Sequence, residues 1–357
     1  MIRANNSITI EDVARAAGVS RAAVSKVIRD AYGVSDEMKA KVEAAIEELG
    51  YRPRVSARAM RGATYTFGIE IPTIKNPFFI KIISGTASAL EGTRYQLIIA
   101  PAGPHHDRGP QAIQVLVDRQ VDGILAVTAV DPEWLEDLAQ HVPLVMLGRH
   151  DDSKCYDTLV NDDFEGARLA VRHLYDLGHR DIAHVTIDPL WENHLPTGPH
   201  AVRARSYQQT MAELGLADRA RVVYLASEEG GSREAAVAIL QDSARPTAVF
   251  AGHDEIALGV LEAVAELGFT ASEVSVVGYD DTEIAAHPLV SLTSINQSGT
   301  RMGEIVVRLL LERIAGRTEP VHEVITPKLM ARKTTAVLRG GGGRKPQATR
   351  LPTPQPM

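Results

Sequence analysis

The 357-residue chain contains one cysteine, Cys155. That excludes an internal disulfide framework and a cysteine-rich zinc site. No apolar run reaches the ~20 residues of a membrane span. The opening MIRANNSITI lacks the apolar core of a secretory signal. GxGxxG, Walker, HExxH and GxSxG patterns are all missing, which removes the familiar signatures of dinucleotide, NTP, zinc-protease and hydrolase chemistry. His105, His106 and Asp107 are adjacent but lack helical metal spacing, so they read as a polar loop. Asp162 and Asp163 are explained more simply by helix capping than by a metal. No cofactor and no membrane contact are expected, and the cytoplasm is the simplest location.

Positive charge is scarce overall, since the net charge is −7. Its distribution matters more. Residues 1–62 carry 11 Lys and Arg against 8 Asp and Glu, while the remainder carries 27 against 37. A mildly basic head on an acidic body suggests a local anion-binding module.

The head contains IEDVARAAGVSRAAVSKVIRD, residues 10–30. Thr9 can cap a first helix with Asp12 reaching back, and Gly18 can end it in the left-handed conformation. Ser20 caps a second helix whose Val24, Val27 and Ile28 face inwards. Ser35 caps a third, with Asp36 and Glu37 in its first turn. Its stripe is Met38, Val42, Ala45, Ile46 and Leu49, and Gly50 stops it. If the second helix enters a DNA major groove, Arg21 and Ala22 meet bases first, with Ser25 and Lys26 one turn on. Arg29, Ser7 and Thr9 would position phosphates. The pattern alone leaves a plain three-helix bundle with solvated basic residues equally open. Pro53 then breaks the chain, and the basic segment 54–61 is too short to be a stable helix by itself.

From Tyr65 onwards, short Val/Ile-rich runs alternate with helical stretches. FGIEI, YQLIIA, DGILAV, PLVML, DIAHVT, TAVFAG and VSVVGY read as buried parallel strands. The alternation over 64–338 predicts an α/β body, too large for one core and therefore two-lobed. The Gly/Pro-rich end, RGGGGRKPQATRLPTPQPM, reads as a disordered tail.

TIEDVARAAGVSRAAVSKVI, VSDEMKAKVEAAIEELGYRP and ARAMRG together resemble the head and hinge of the LacI/GalR family of bacterial transcription regulators. The body resembles that family too, in VNDDFEGARLAVRHLYDLGHRDIAHV, HDEIALGVLEAV, VSVVGYDDTEIA and LTSINQSGTRMGEIVVRLLL. The resemblance implies a small all-α helix-turn-helix head (1–52), a hinge (53–63) and a two-lobed α/β body similar to type I periplasmic binding proteins (64–338). Lobe 1 is expected at about 64–161 and 293–325, lobe 2 at about 162–292 and 326–338, and the tail at 339–357. It also implies a homodimer on a palindromic double-stranded operator. The paired hinges would enter the minor groove, with Met60 wedging between base pairs beside Ala57 and Arg58. The family's tetrameric members end in a Leu-rich heptad helix, which this chain lacks. A small-molecule effector, expected to be a sugar, would meet Asn76, Phe78, Phe79, Arg149, Asn161, Arg203, His253, Asp280 and Gln297. Arg203 is the foremost of these, because a planar fork suits paired hydroxyls or a carboxylate. His253 stands where the family usually has Asn, and Trp191 lies in the loop 187–202. Asp281 is expected to be structural. Competing readings are a corepressor-dependent regulator, a binding protein of periplasmic type, and an enzyme with a fused head; no catalytic constellation supports the last.

Overall fold

A computed structural model describes residues 8–28, 32–51, 63–103, 108–128, 131–188, 197–225 and 231–339. Ser7, Arg29, Ala57, Arg58, Met60, Trp191, His105, His106, Asp107 and the tail lie outside the described residues. Two compact units divide the chain, one ending at Thr64 and the other beginning at Tyr65. Among the described residues, no helix is long and apolar enough to cross a membrane.

Among the described residues of the first unit are three helices, α1 Ile10–Ala17, α2 Arg21–Ile28 and α3 Asp36–Leu49. Thr9 and Asp12 form the expected reciprocal cap, and Gly18 ends α1 at φ 65°. Ser20 Oγ accepts from the Ala23 N–H at 3.1 Å, and Ser35 Oγ from the Met38 N–H at 3.3 Å. Val13, Ala14, Val24, Val27, Val42 and Ala45 are buried together, flanked by Met38, Ile46 and Leu49. This small core is the expected stripe of each helix, turned inwards.

The second unit holds two six-stranded sheets. In lobe 1 the strands are β1 Thr66–Ile71, β2 Gln96–Pro101, β3 Gly123–Ala126, β4 Leu144–Leu147, β5 Asp157–Asn161 and β11 His322–Ile325, ordered β11-β5-β4-β3-β1-β2 and all parallel. Helices α4 Pro77–Ala89 and α12 Gly299–Ile314 pack on one face. The other face carries α5 Gly109–Asp118 and α6 Pro132–Ala139. In lobe 2 the strands are β6 Ile182–Ile187, β7 Arg221–Leu225, β8 Ala248–Ala251, β9 Ser275–Asp280, β10 Thr293–Asn296 and β12 Lys328–Met330. Their order is β12-β10-β9-β8-β6-β7, with only β12 antiparallel. Helices α7 Asp163–Asp176 and α8 Pro199–Glu213 cover one side, and α9 Ser232–Leu240 and α10 Asp254–Glu266 the other. Strands such as LVML and AVFA are buried at every position because helices cover both faces. A short helix, α11 Glu283–Ala286, follows β9.

The chain crosses between lobes three times: after Asn161, after Asn296 and between β11 and β12. The middle crossing corrects the expected boundary. Residues 293–296 pair with β9 in lobe 2, so lobe 1 resumes only at α12. YQLIIA is corrected as well. Its strand is at a sheet edge and only partly covered, although its apolar run reads as buried.

Helices α4 and α12 approach closely because two glycines leave room. A Cβ on Gly85 would lie 2.0 Å from the Thr300 carbonyl oxygen, and one on Gly303 would lie 2.2 Å from that of Ile82. Both obstacles are backbone, so neither can swing aside. Gly303→Ala is therefore expected to destabilise the body by roughly 1–3 kcal/mol or more, seen as a lower midpoint in urea unfolding. An unchanged midpoint would contradict this packing.

Candidate functional site

In the head, α2 begins with Arg21 and Ala22 exposed, and Lys26 is exposed one turn later. Arg21 pairs loosely with Glu11 at 3.6 Å, both side chains mostly in solvent. Such a pair contributes little and yields readily to a stronger partner. Thr9 and Ser20 are exposed, but their hydroxyls serve the caps. Ser25 departs from expectation. It is buried, because the helical period places it beside Val24 and one turn from Ile28, so it leaves the base-facing set.

In the body, strand ends from both lobes open onto a cavity of about 130 Å³. Asn76, Phe78, Phe79, Arg149, Asn161, Arg203, His253, Asp280 and Gln297 all line it. Asn76 caps α4, its Oδ1 accepting from the Phe78 N–H at 2.9 Å, and Pro77 at the first helical position fits the start. The rings of Phe78 and Phe79 follow, tilted with centroids 5.8 Å apart. Phe78 is also buried in the lobe 1 core, so it serves both packing and the cavity wall. Arg149, just beyond β4, donates from Nε to Asp151, which also accepts from Tyr156 Oη at 2.8 Å.

Arg203 on α8 is buried. Its Nε donates to Asp163 Oδ1 at 2.7 Å and its Nη1 to the Gly252 carbonyl at 2.8 Å. The guanidinium carbon sits 3.7 Å from the Tyr279 ring centroid, a cation–π contact. Gly252 leaves room here, since a Cβ would stand 2.6 Å from Thr186 Oγ1 and force that side chain to shift. Asp163 Oδ2 meets His150 Nε2 at 3.0 Å. Burial pushes the Asp163 carboxyl up, but Arg203 and His150 outweigh it and hold it below the usual range. Burial also drives Asp280, which is held well above the usual carboxylate range although Arg203 opposes this. Gln297 Nε2 donates to Asp280 Oδ1, and Asn161 Nδ2 donates to Gln297 Oε1 at 3.0 Å. His253 caps α10, its Nδ1 accepting from the Ile256 N–H at 3.3 Å.

Asp281 turns away from the cavity chemistry. Its carboxylate accepts from Arg332 at 2.5 Å and Asn296 at 2.6 Å, and its carbonyl accepts from Lys81 of the other lobe. Of the two acids expected to cap a helix, only Asp162 does so, accepting from the Glu165 N–H at 2.9 Å. Asp163 lines the cavity instead, as do Thr128, His200 and Met302, which sequence reasoning missed. Thr128 is held by Glu70, whose carboxylate also accepts from the Val127 and Thr128 N–H groups at 2.9 and 3.0 Å. A glutamate within an apolar strand run was the only signal available for that arrangement.

The pattern described as bacterial regulatory proteins, lacI family, matches residues 9–54, and that of a periplasmic binding protein-like domain matches 171–335. The HTH-type transcriptional repressor PurR of Pectobacterium carotovorum is 34% identical over 340 residues, covering 92% of this chain and 97% of that protein. The lac repressor dimer bound to operator and an anti-inducer superposes with a TM-score of 0.76 at 26% identity, covering 93% of this chain and all of that one. A transcriptional regulator CelR–cellobiose complex gives a TM-score of 0.63 at 28% identity, covering 92% and 99%.

The buried charges have two measurable consequences. Arg203→Ala leaves Asp163 buried without its main partner, so it should cost roughly 3–5 kcal/mol of stability as well as altering the cavity; a thermal midpoint equal to wild type would remove the pair from the core. His184 on β6 is fully buried, and burial pulls its pKa down to about 4 from 6.5 despite Nδ1–H donating to the Phe250 carbonyl at 2.9 Å. A folded state that prefers the neutral ring has this stability in full above pH 6.5 and loses it as pH falls towards 4. The loss should amount to about 3 kcal/mol. Calorimetry across that window should show the decline, and His184→Leu should flatten it.

Proposed function

The chain belongs to the LacI family of bacterial regulatory proteins, and from that premise we propose that it is a repressor whose homodimer grips a palindromic operator and lets go when a sugar enters the cleft. It is a DNA-binding regulator with an effector domain, not an enzyme. The observation that carries the proposal is the cleft. Nine residues expected to meet an effector line one cavity between two lobes, in a chain that begins with a helix-turn-helix.

On the DNA side, Arg21, Ala22 and Lys26 face outwards from α2. Arg21 would read guanine with two N–H groups and Ala22 would touch a thymine methyl. Arg29 would hold a phosphate. Ala57, Arg58 and Met60 would enter the minor groove at the operator centre, where unstacking is offset by contacts in the bent duplex.

On the effector side, the Phe78 and Phe79 rings suit the apolar face of a sugar, while Asp280, Arg203, Asn161 and Gln297 suit its hydroxyls. A sugar that binds one lobe arrangement better than the other shifts the population towards it. The hinge segments of the dimer would then lose their pairing distance. Couplings of ~1–3 kcal/mol are common, and a near-complete switch needs roughly 5.5 kcal/mol of differential affinity.

The test begins by selecting operators from random duplexes with the full-length protein. Fluorescence anisotropy on the winning sequence is then repeated with sugars that raise the melting temperature. Weaker operator binding with a stabilising sugar is expected. Tighter binding would reverse the sign, and no selected sequence at all would defeat the operator reading. Arg21→Ala should lose ~1–3 kcal/mol of discrimination at one operator position, and an unchanged selection profile would remove Arg21 from base reading.

A further inference from the structure

The charges bordering the cleft cancel in pairs. Arg149 is matched by Asp151, and Arg203 by Asp163 at 2.7 Å with both side chains almost fully buried. Asp280 adds a further carboxyl, with Asp254 close enough to raise it. Arg203 spends Nε on Asp163 and Nη1 on Gly252. Its Nη2 makes no hydrogen bond among the described residues. The guanidinium therefore keeps N–H groups that can point at a ligand oxygen, but its net charge is already answered.

We propose that the cleft takes an uncharged, hydroxyl-rich ring and rejects the acid or phosphate ester of the same sugar, with Asp163 as the residue that sets this choice. The inference rests on the reading of the cleft as a sugar site and narrows it. An arriving carboxylate or phosphate would give up its water and find no uncompensated cation. It would also face Asp280. Were Asp280 protonated it would add no attraction, and were it ionised it would repel. Hydroxyl groups meet no such barrier, because they can donate to a carboxyl oxygen and accept from a guanidinium N–H without carrying charge. Asp163 decides the matter because it holds the direct ion pair with Arg203, a cation that lines the cavity. An amide at the same place would hold the geometry and release the charge. His200 and His253 line the same space and His150 bonds Asp163 beside it, so every comparison is made at one fixed pH, 8.

The experiment is thermal melting of the full chain at pH 8, wild type and Asp163→Asn. The probes are glucose with glucuronate and glucose 6-phosphate, galactose with galacturonate, ribose with ribose 5-phosphate, and inorganic phosphate. In wild type the stabilising compounds should be uncharged, with the charged counterpart at least ~100-fold weaker. Asp163→Asn should gain stabilisation by a sugar acid, a sugar phosphate or inorganic phosphate. A charged derivative that stabilises wild type more than its parent sugar overturns the proposal. So does an Asp163→Asn protein that folds and remains blind to every anion. If no sugar of either kind moves wild type, the sugar reading falls by itself. Inorganic phosphate still decides the charge claim, since a response confined to Asp163→Asn supports it and a response already present in wild type refutes it. Should the variant fail to fold, the wild-type comparison of each sugar with its acid or phosphate decides the proposal.

Discussion

The ion pair between Arg203 and Asp163 is the interaction on which the cleft is built. Taking two charges out of water costs several kcal/mol for each ion, and attraction recovers this only with good geometry and further hydrogen bonds. Both conditions are met. The contact is 2.7 Å, Gly252 takes a second guanidinium nitrogen, His150 takes the second carboxylate oxygen, and the Tyr279 ring supports the cation. Arg203, Asp163, Gly252 and Tyr279 come from α8, the first turn of α7, the β8–α10 turn and β9 of lobe 2, while His150 reaches in from the β4–β5 connection of lobe 1. One buried pair thus fixes four pieces of lobe 2 relative to one another, and that wall of the cleft is set before any ligand arrives.

The opposite wall belongs to lobe 1, and the two are joined by residues at the crossings. Asn161 ends β5 at the first crossing, and Gln297 lies in the middle one. They bond to each other, and Gln297 continues to Asp280. A ligand that engages this chain of bonds therefore touches the connections between the lobes. Asp280 and Asp281 both hold positive φ, 107° and 49°, which non-glycine residues adopt at some cost. Ser294, Arg332, Asn296 and, from lobe 1, Lys81 hold Asp281 in place. Strain at this corner is therefore kept by contacts from both lobes.

Much of this was legible in the residues. The three caps and the inward stripe of the head follow from local patterns, and local patterns decide short helices. The parallel strands followed from apolar runs too long for one-sided burial. What failed was non-local. Residues 293–296 look the same in either lobe, and only pairing with β9 decides. Edge position made β2 half-exposed despite its apolar run. Ser25 looked like a base contact until packing placed it inwards. Asp163 is the instructive miss. Beside Asp162 at a helix start, both acids look like caps, but only one can accept the N–H groups. The other was aimed at Arg203, forty positions away, by the packing of α7 beside α8 on the lobe 2 sheet, which no local signal encodes.

The start of α10 follows the same logic at a position where the resemblance to the family implies Asn. His253 caps the helix there. An Asn in that place would cap through Oδ1, as Asn76 does on α4, and keep its amide N–H groups for other partners. His253 caps through Nδ1, so its neutral ring carries the proton on Nε2. The exchange preserves polarity, with an acceptor towards the helix and a donor on the far side. It alters reach and volume, because a ring replaces an amide.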